Sequence, residues 1–334
     1  MYYTLDRIED CNIAVMTGDD GSKADVIFDV ISGDISPSGK MTDTWSVNYE
    51  DYPNASIFSH INGNEMVQRY EEGIYVGYRY FDTFEVPTRY CFGYGLSYTD
   101  FEIHAEQIKV HKTEAVNPEI SVTVRVTNIG KTYAGKEVVQ LYVSCPQGDL
   151  HKEYRRLVAY EKTKLLQPGE TTILDIRFSL DSLASFDKSE SGWILSEGSY
   201  GIYVGNSLNS SKVEAVVDVE ESRMLTRTEH ICPLQEELKE LLADTKRLEE
   251  RRSEWLLKKE ALLKVQISSD DIQEVDVVYG VESEEIEEDI KQFVDTLSID
   301  ELIQLATGDP AQGQGSENEA SGIFVPGGAA QTST

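Results

Sequence analysis

Basic residues are scarce in this chain. Against 60 Asp and Glu stand only 30 Lys and Arg, a formal charge of -30 over 334 residues, which repels nucleic acid phosphates and anionic membrane surfaces alike. Nucleic-acid binding is thereby disfavoured, and the ordinary reading of so much acid is solubility. Long apolar runs are also missing. None approaches the roughly 20 residues that span a bilayer, and the opening MYYTLDRIEDCNIAVMTGDD has neither a basic nor an apolar leader region. The expectation is a cytoplasmic chain with no membrane partner. Cys11, Cys91, Cys145 and Cys232 lie far apart with no CxxC pair, and the 5 histidines form no HxxxH or HExxH pattern. Isolated reduced thiols, no metal site and no cofactor are therefore expected. What the chain does carry is 40% hydrophobic residues and 18 tyrosines, enough to build sizeable cores.

Near the start, a short apolar run from Asn12 to Met16 leads into KADVIFDVISG, where Ala24, Ile27, Phe28 and Ile31 fall at helical spacing and Gly33 supplies a stop. Strand, turn and helix make one unit of an α/β sheet, which cannot close a core alone. From about Asp34 to Phe101 the chain is rich in Gly, Pro, Asn and Tyr with little periodicity. So long an irregular stretch is functional or packed on something large. From Glu119 the pattern becomes alternation: ISVTVRVTN, EVVQLYVS, RRLVAYEK, TTILDIRFSL, SYGIYVG and KVEAVVDV are separated by turn signals such as CPQGD and LQPGE. Some seven short strands at this spacing predict an antiparallel β-sandwich of immunoglobulin type.

After Glu220 the alternation stops. Pro233 opens a segment in which Leu234, Leu238, Leu241, Leu248, Trp255 and Leu262 sit near an a/d spacing, predicting an amphipathic helix from Leu234 to Leu263, with Arg252 and Lys259 interrupting the seam. Such a helix packs on its own protein more often than it dimerises; a homo-oligomer is left open. An acidic stretch follows, then a second helical pattern from Ile286 to Ala306, which a capping box of Ser298 and Glu301 would split in two.

Three motifs, GDISPSGK (33–40), YEEGIYVGYRYFDT (70–83) and CFGYGLSYTDF (91–101), stand in order. In them the chain resembles glycoside hydrolase family 3, with its GDxxPSGKLP, EGIxVGYRYxD and FGxGLSYT signatures. VTNIGKTYAGKEVVQLYVS, RRLVAYEKTKLLQPGET and GWILSEGSYGIYVGNS resemble that family's fibronectin type III-like domain, and the likeness runs from about Lys23 to about Val219. The tail, VDTLSIDELIQLATGDPAQGQGSENEASGIFVPGGAAQTS, resembles the start of the family's barrel domain, as in members with reversed domain order. The resemblance implies a multidomain layout. The end of an α/β sandwich domain occupies 1–48 and a Tyr/Gly-rich linker 49–105. The all-β immunoglobulin/fibronectin III-like sandwich spans 106–220, a helical acidic linker 221–285, and the beginning of a TIM-like barrel 286–334. It also implies β-glucosidase-like hydrolysis of β-linked sugars by the complete enzyme.

A retaining glycosidase needs two carboxylates about 5 to 5.5 Å apart. The resemblance places the nucleophile in an SDW-like motif of the barrel and the acid/base in a GEG-like loop upstream of PSGK. Neither motif occurs in this chain, so both catalytic carboxylates are expected outside it, and the chain is expected to be an inactive fragment of a longer enzyme. Within it, Glu71 and Glu72 are adjacent and would point to opposite faces of a strand. Asp82 and Asp100 neighbour aromatic residues whose role reads as packing. No GxSxG is present, and Gly93-Tyr94-Gly95 lacks the context of a phosphate loop. The residues singled out are therefore supporting anchors: Glu72, Arg79 and Tyr80, with a charge-assisted bond from Arg79 to Glu72 or Asp82. The alternative is a non-catalytic binding or interaction module presenting sandwich loops to a glycan or protein.

Overall fold

The computed structural model describes residues 29–58, 63, 67, 69–112, 117–148, 150–230, 238–277 and 288–307. The chain divides into Met1–Val277 and Val278–Thr334. In the first unit the elements run β1 (Trp45–Ser46), α1 (Tyr78–Thr83), β2 (Thr88–Tyr90), β3 (Phe101–His111), β4 (Glu119–Asn128), β5 (Val138–Ser144), β6 (Arg156–Lys162) and β7 (Thr171–Ser179). They continue with β8 (Ser185–Asp187), β9 (Gly192–Leu195), β10 (Gly198–Gly205), β11 (Lys212–Val219), β12 (Arg223–Arg227), α2 (Thr245–Leu256), β13 (Leu263–Ile267) and β14 (Val275–Asp276).

Two sheets form the expected sandwich, ordered β3-β4-β7 and β13-β11-β10-β5-β6. Alternation explains their inner faces. Ile120, Val122, Val124 and Val126 of β4 point inward with no exposure, and meet Val139, Leu141 and Val143 of β5 and Ile202 of β10 in one apolar cluster. β-branched and aliphatic residues at period two suit a pleated face buried on one side. A smaller sheet, β14-β12-β9-β8, and the ribbon β1-β2 complete this unit.

The sandwich differs from the sequence expectation at both ends. Its first strand, β3, begins at Phe101, ahead of the expected boundary at 106. The strand was hidden because its register shifts between Ala105 and Gln107: a bulge puts two residues against one and breaks the alternation. At the other end, the helix expected from Leu234 to Leu263 is shorter. Pro233 and Leu234 lie outside the described residues, and the helix starts at Thr245, where the Asp244 side chain accepts from the Lys246 and Arg247 amides at 3.0 and 3.2 Å. That cap outcompetes continuation of the apolar spacing. Past Leu262 the chain becomes β13, pairing parallel with β11 from Ala215↔Leu263 to Val219↔Ile267. Leu263, Val265 and Ile267 alternate, and the open edge of β11 supplied the partner that no local reading could see.

At the N-terminal side, residues 29–32 are helical and Gly33 takes φ +84, the expected stop; Asn12 to Phe28 lie outside the described residues. Cys91 and Cys145 are buried free thiols; Cys11 and Cys232 are among the residues not described. In the second unit, α3 (Glu288–Asp295) and α4 (Ile299–Thr307) are separate helices. The Ser298 hydroxyl donates to Glu301 at 2.7 Å and accepts from the Glu301 amide at 3.3 Å, the capping box the spacing predicts. Among the described residues no helix is long and apolar enough to cross a membrane, and no cluster suited to a metal ion is present.

Candidate functional site

The three sequence motifs lie along the β5–β6 side of the sandwich, with Lys40 beside Glu137 just ahead of β5 and Tyr78 beside Leu157, the partner of Tyr142 further along that strand. Met41, just after GDISPSGK, exchanges backbone bonds with the FGYG segment, its amide donating to Tyr94 O and its carbonyl accepting from Gly93, both at 2.8 Å. The strands of chain approach so closely that a Cβ on Gly95 would lie 2.3 Å from Gly39 O, which requires glycine there. Lys40 reaches across to Glu137 at the start of β5, 2.7 Å away with both side chains largely buried. The motifs therefore act as a seam that fixes the irregular segment to the sandwich.

The middle motif supplies α1. Gly77 caps it at φ 56, a backbone conformation that favours glycine. Tyr78 accepts from the Leu157 amide at 2.8 Å and packs against Phe92 and Tyr142. Phe81 is buried edge-on to Tyr52 at 5.4 Å, and the Thr83 hydroxyl accepts from the Tyr154 amide at 3.0 Å. Asp82 is the centre of the arrangement. Arg155 grips it with a two-pronged bond, Nε to Oδ2 at 2.8 Å and Nη2 to Oδ1 at 2.7 Å, and Arg251 from α2 reaches Oδ1 at 3.4 Å and the Asp82 carbonyl at 2.8 Å. Burial alone would lower the Arg155 pKa, but the Asp82 bonds and charge overcome it and move it upward.

Around this pair the segment Lys152–Arg156 buries charge in sequence. Lys152 donates to Pro146 O and Ser196 Oγ at 2.7 and 2.8 Å, and burial pushes its pKa down. Glu153 is paired with Arg156 at 2.8 Å. The Tyr154 and Tyr203 hydroxyls meet at 2.9 Å, with Arg251 stacked 3.5 Å from the Tyr154 ring and Arg155 5.0 Å from that of Tyr203. Helix α2 closes the hub: Arg252, 2% exposed, donates to Ser144 O at 3.1 Å and Ser199 O at 2.7 Å. The residue expected to interrupt the helix seam is the largest fully buried side chain in the chain's described residues.

Of the three anchors singled out, Tyr80 packs on Phe81 and Phe84, and its burial raises its pKa. Arg79 faces neither Glu72 nor Asp82; its Nε lies 3.8 Å from Glu153, and both Asp82 oxygens are taken by Arg155 instead. Glu72 has one buried oxygen without a hydrogen-bond partner; the backbone carbonyl of its neighbour Glu71 accepts from Leu241 at 2.7 Å. Asp100 acts through its carbonyl, which accepts from Ile129 at 2.9 Å. Sequence reasoning missed Arg155, Arg251, Arg252 and Glu153. For Glu153 and Arg155 the signal was a dense run of charge, HKEYRR (151–156), leading into a strand; for Arg251 and Arg252 it was a second such run, LEERR (248–252).

A cleft of about 330 Å³ opens beside Asp82 and Glu85. Glu85 is held by Arg247 at 2.9 Å and approached by Arg251 at 3.8 Å. The Arg247 bond keeps its carboxyl below the usual range.

Residues 137–208 match the profile of the fibronectin type III-like domain. The chain is 39% identical over 201 residues to β-glucosidase A of Butyrivibrio fibrisolvens, covering 55% of this chain and 24% of that protein. Among solved structures it is similar to a β-glucosidase from Paenibacillus barengoltzii, with a TM-score of 0.56, 38% identity, and coverage of 61% of this chain and 23% of that one. It is likewise similar to β-glucosidase 3B of Thermotoga neapolitana, solved in complex with α-D-glucose, with a TM-score of 0.54, 37% identity, and coverage of 61% and 27%. The chain thus spans about a quarter of the length of these relatives.

Proposed function

We propose that this chain, a relative of the family 3 β-glucosidases over about 200 residues, is a non-catalytic positioning part of an enzyme that hydrolyses β-linked glucosides. In this reading both catalytic carboxylates belong to portions of the enzyme outside this chain. In the same reading the sandwich stands in the chain between the end of an α/β domain, near residue 48, and a barrel domain beginning near 286. The observation that carries the reading is the state of the two carboxylates at the cleft. A general acid for glycoside cleavage needs a raised pKa, and its partner needs open access to the anomeric carbon. Asp82 has both oxygens engaged by guanidinium groups, and Glu85 is displaced the opposite way, downward. Such groups hold geometry; they do not transfer protons to a sugar.

The test is turnover. The purified 334-residue chain, assayed with an aryl β-glucoside, is expected to release no aglycone above buffer. Hydrolysis that disappears in Asp82→Asn or Glu85→Gln would overturn the reading and make the cleft an active site.

A further inference from the structure

The outer strands of the sandwich are protected unequally. β3 is broken by its bulge, and its Ala105 amide is taken by the Glu214 side chain. On β6 the Leu157 amide is taken by the Tyr78 hydroxyl, and β8, β13 and β14 have five residues or fewer. Bulges, side-chain caps and shortness all keep a sheet edge from pairing with another chain. β7 has none of these. Its nine residues, about 30 Å of strand, pair with β4 without a break from Thr127↔Thr171 to Glu119↔Ser179, and among the described residues no strand pairs with its other side. Leu174, Ile176 and Phe178 face the core, which leaves Thr171, Ile173, Asp175 and Arg177 on the outer face.

Asp175 and Arg177 are the charges of this edge, 3.1 Å apart on one strand with side chains 45% and 51% exposed. Charges on an edge repel a neighbour unless the register brings opposite signs together. A second copy of β7 can add antiparallel about a two-fold axis normal to the sheet. Inner face then continues inner face, and the axis must pass through a residue. Axes through Leu174, Asp175 or Ile176 overlap most of the strand. At Asp175 two aspartates oppose each other, and at Leu174 each Asp175 meets the partner's Ile173. The axis through Ile176 sets Asp175 against the partner's Arg177 and Arg177 against the partner's Asp175, two ion pairs from one symmetry operation. We propose that β7 is a self-association edge, at which a second copy of this chain pairs its own β7 antiparallel about Ile176 and extends the three-stranded sheet to six. A single seam of this kind buries less than a stable interface of about 1,200–2,000 Å², so the dimer belongs to high chain concentration. It does not depend on the enzymatic reading.

The test is sedimentation velocity on the 334-residue chain in physiological salt, which screens the general repulsion of a formal charge of -30. A monomer–dimer equilibrium is expected as the chain approaches millimolar concentration. Arg177→Glu opposes acid to acid across the seam and Asp175→Arg opposes base to base, so each is expected to weaken the dimer at least tenfold. Both positions are exposed, and melting temperatures should stay near wild type. Mixed together, the two variants are expected to form a heterodimer, because each supplies the charges the other lacks. A monomer at every concentration, single variants that dimerise like wild type, or variants that stay apart on mixing would each overturn the inference. Association indifferent to both reversals would place the contact elsewhere on the chain.

Discussion

The interior of the sandwich and the hub beside it are both closed to water, by opposite materials. Between the sheets, Ile120, Val122, Val124, Leu141 and Ile202 are buried with no polar atoms to satisfy. A few residues away, Lys152, Glu153, Arg155 and Arg252 are buried almost as deeply, each with charge to neutralise or hydrogen bonds to complete. The apolar core tolerates imprecision, since a misplaced methyl loses only part of its contacts. The hub does not, because each guanidinium has a specific acceptor and a missing partner leaves a buried charge. The sandwich is thus the source of stability, and the hub determines how α1 and α2 are set against it.

The largest test of that division is Asp82→Ala. Removing the carboxylate strands Arg155, whose side chain is 9% exposed, and is expected to cost about 3–5 kcal/mol by urea unfolding. Leu141→Ala, a cavity in the sandwich, is expected to cost about 2–5 kcal/mol. The two differ in rescue. Adding Arg155→Met to Asp82→Ala should recover much of the loss, because the more deeply buried guanidinium is then gone while Arg251 keeps the Asp82 carbonyl and Glu85. A double variant as unstable as the single one would mean that Asp82 matters through packing, like a core residue.

A smaller effect is expected where the two regions touch. On β10, a Cβ added at Gly201 would lie 2.8 Å from the Trp255 ring of α2. Gly201→Ala should therefore lift the helix from the sheet, at a cost of about 1–3 kcal/mol, with a change in tryptophan fluorescence. An unchanged spectrum and stability would show that α2 is not seated on the sheet by this contact.

The same contrast explains what could be read in advance. Six strands of the sandwich follow from alternation, and the helix break at Ser298 from a capping pattern, because both signals are local. β3 escaped through one bulge at Glu106, and β13 because its identity depends on the free edge of β11, distant in sequence. At the site, the aromatic and glycine motifs mark the seam, and Tyr80 packs on Phe81 and Phe84. The partners of Asp82 were illegible. Arg155 and Arg251 look like ordinary surface arginines until the fold buries them, and charge carries no periodicity that marks an inward face.

Glu85 gives the smallest expected effect and the finest resolution of the comparison, since it is a charged contact of the hub that lies at the surface. Its carboxyl is held below the ordinary value of 4.5, first by the Arg247 hydrogen bond and then, against the opposing effect of burial, by the charge of Arg251. In acid the unfolded chain therefore binds more protons at this position than the folded one. The stabilisation is complete above about pH 4.5 and is lost as pH falls through the lower, folded value. Urea midpoints of wild type and Glu85→Gln should differ modestly at neutral pH, converge in acid, and converge again in high salt, which screens so exposed a pair. Glu85→Gly removes the same charge but relieves the φ +55 backbone, and should be more stable than Glu85→Gln at every pH. If the wild type and Glu85→Gln remained apart in acid, the ion pair would not be the source of the difference, and Glu85 would belong with the packed residues instead of the charged ones.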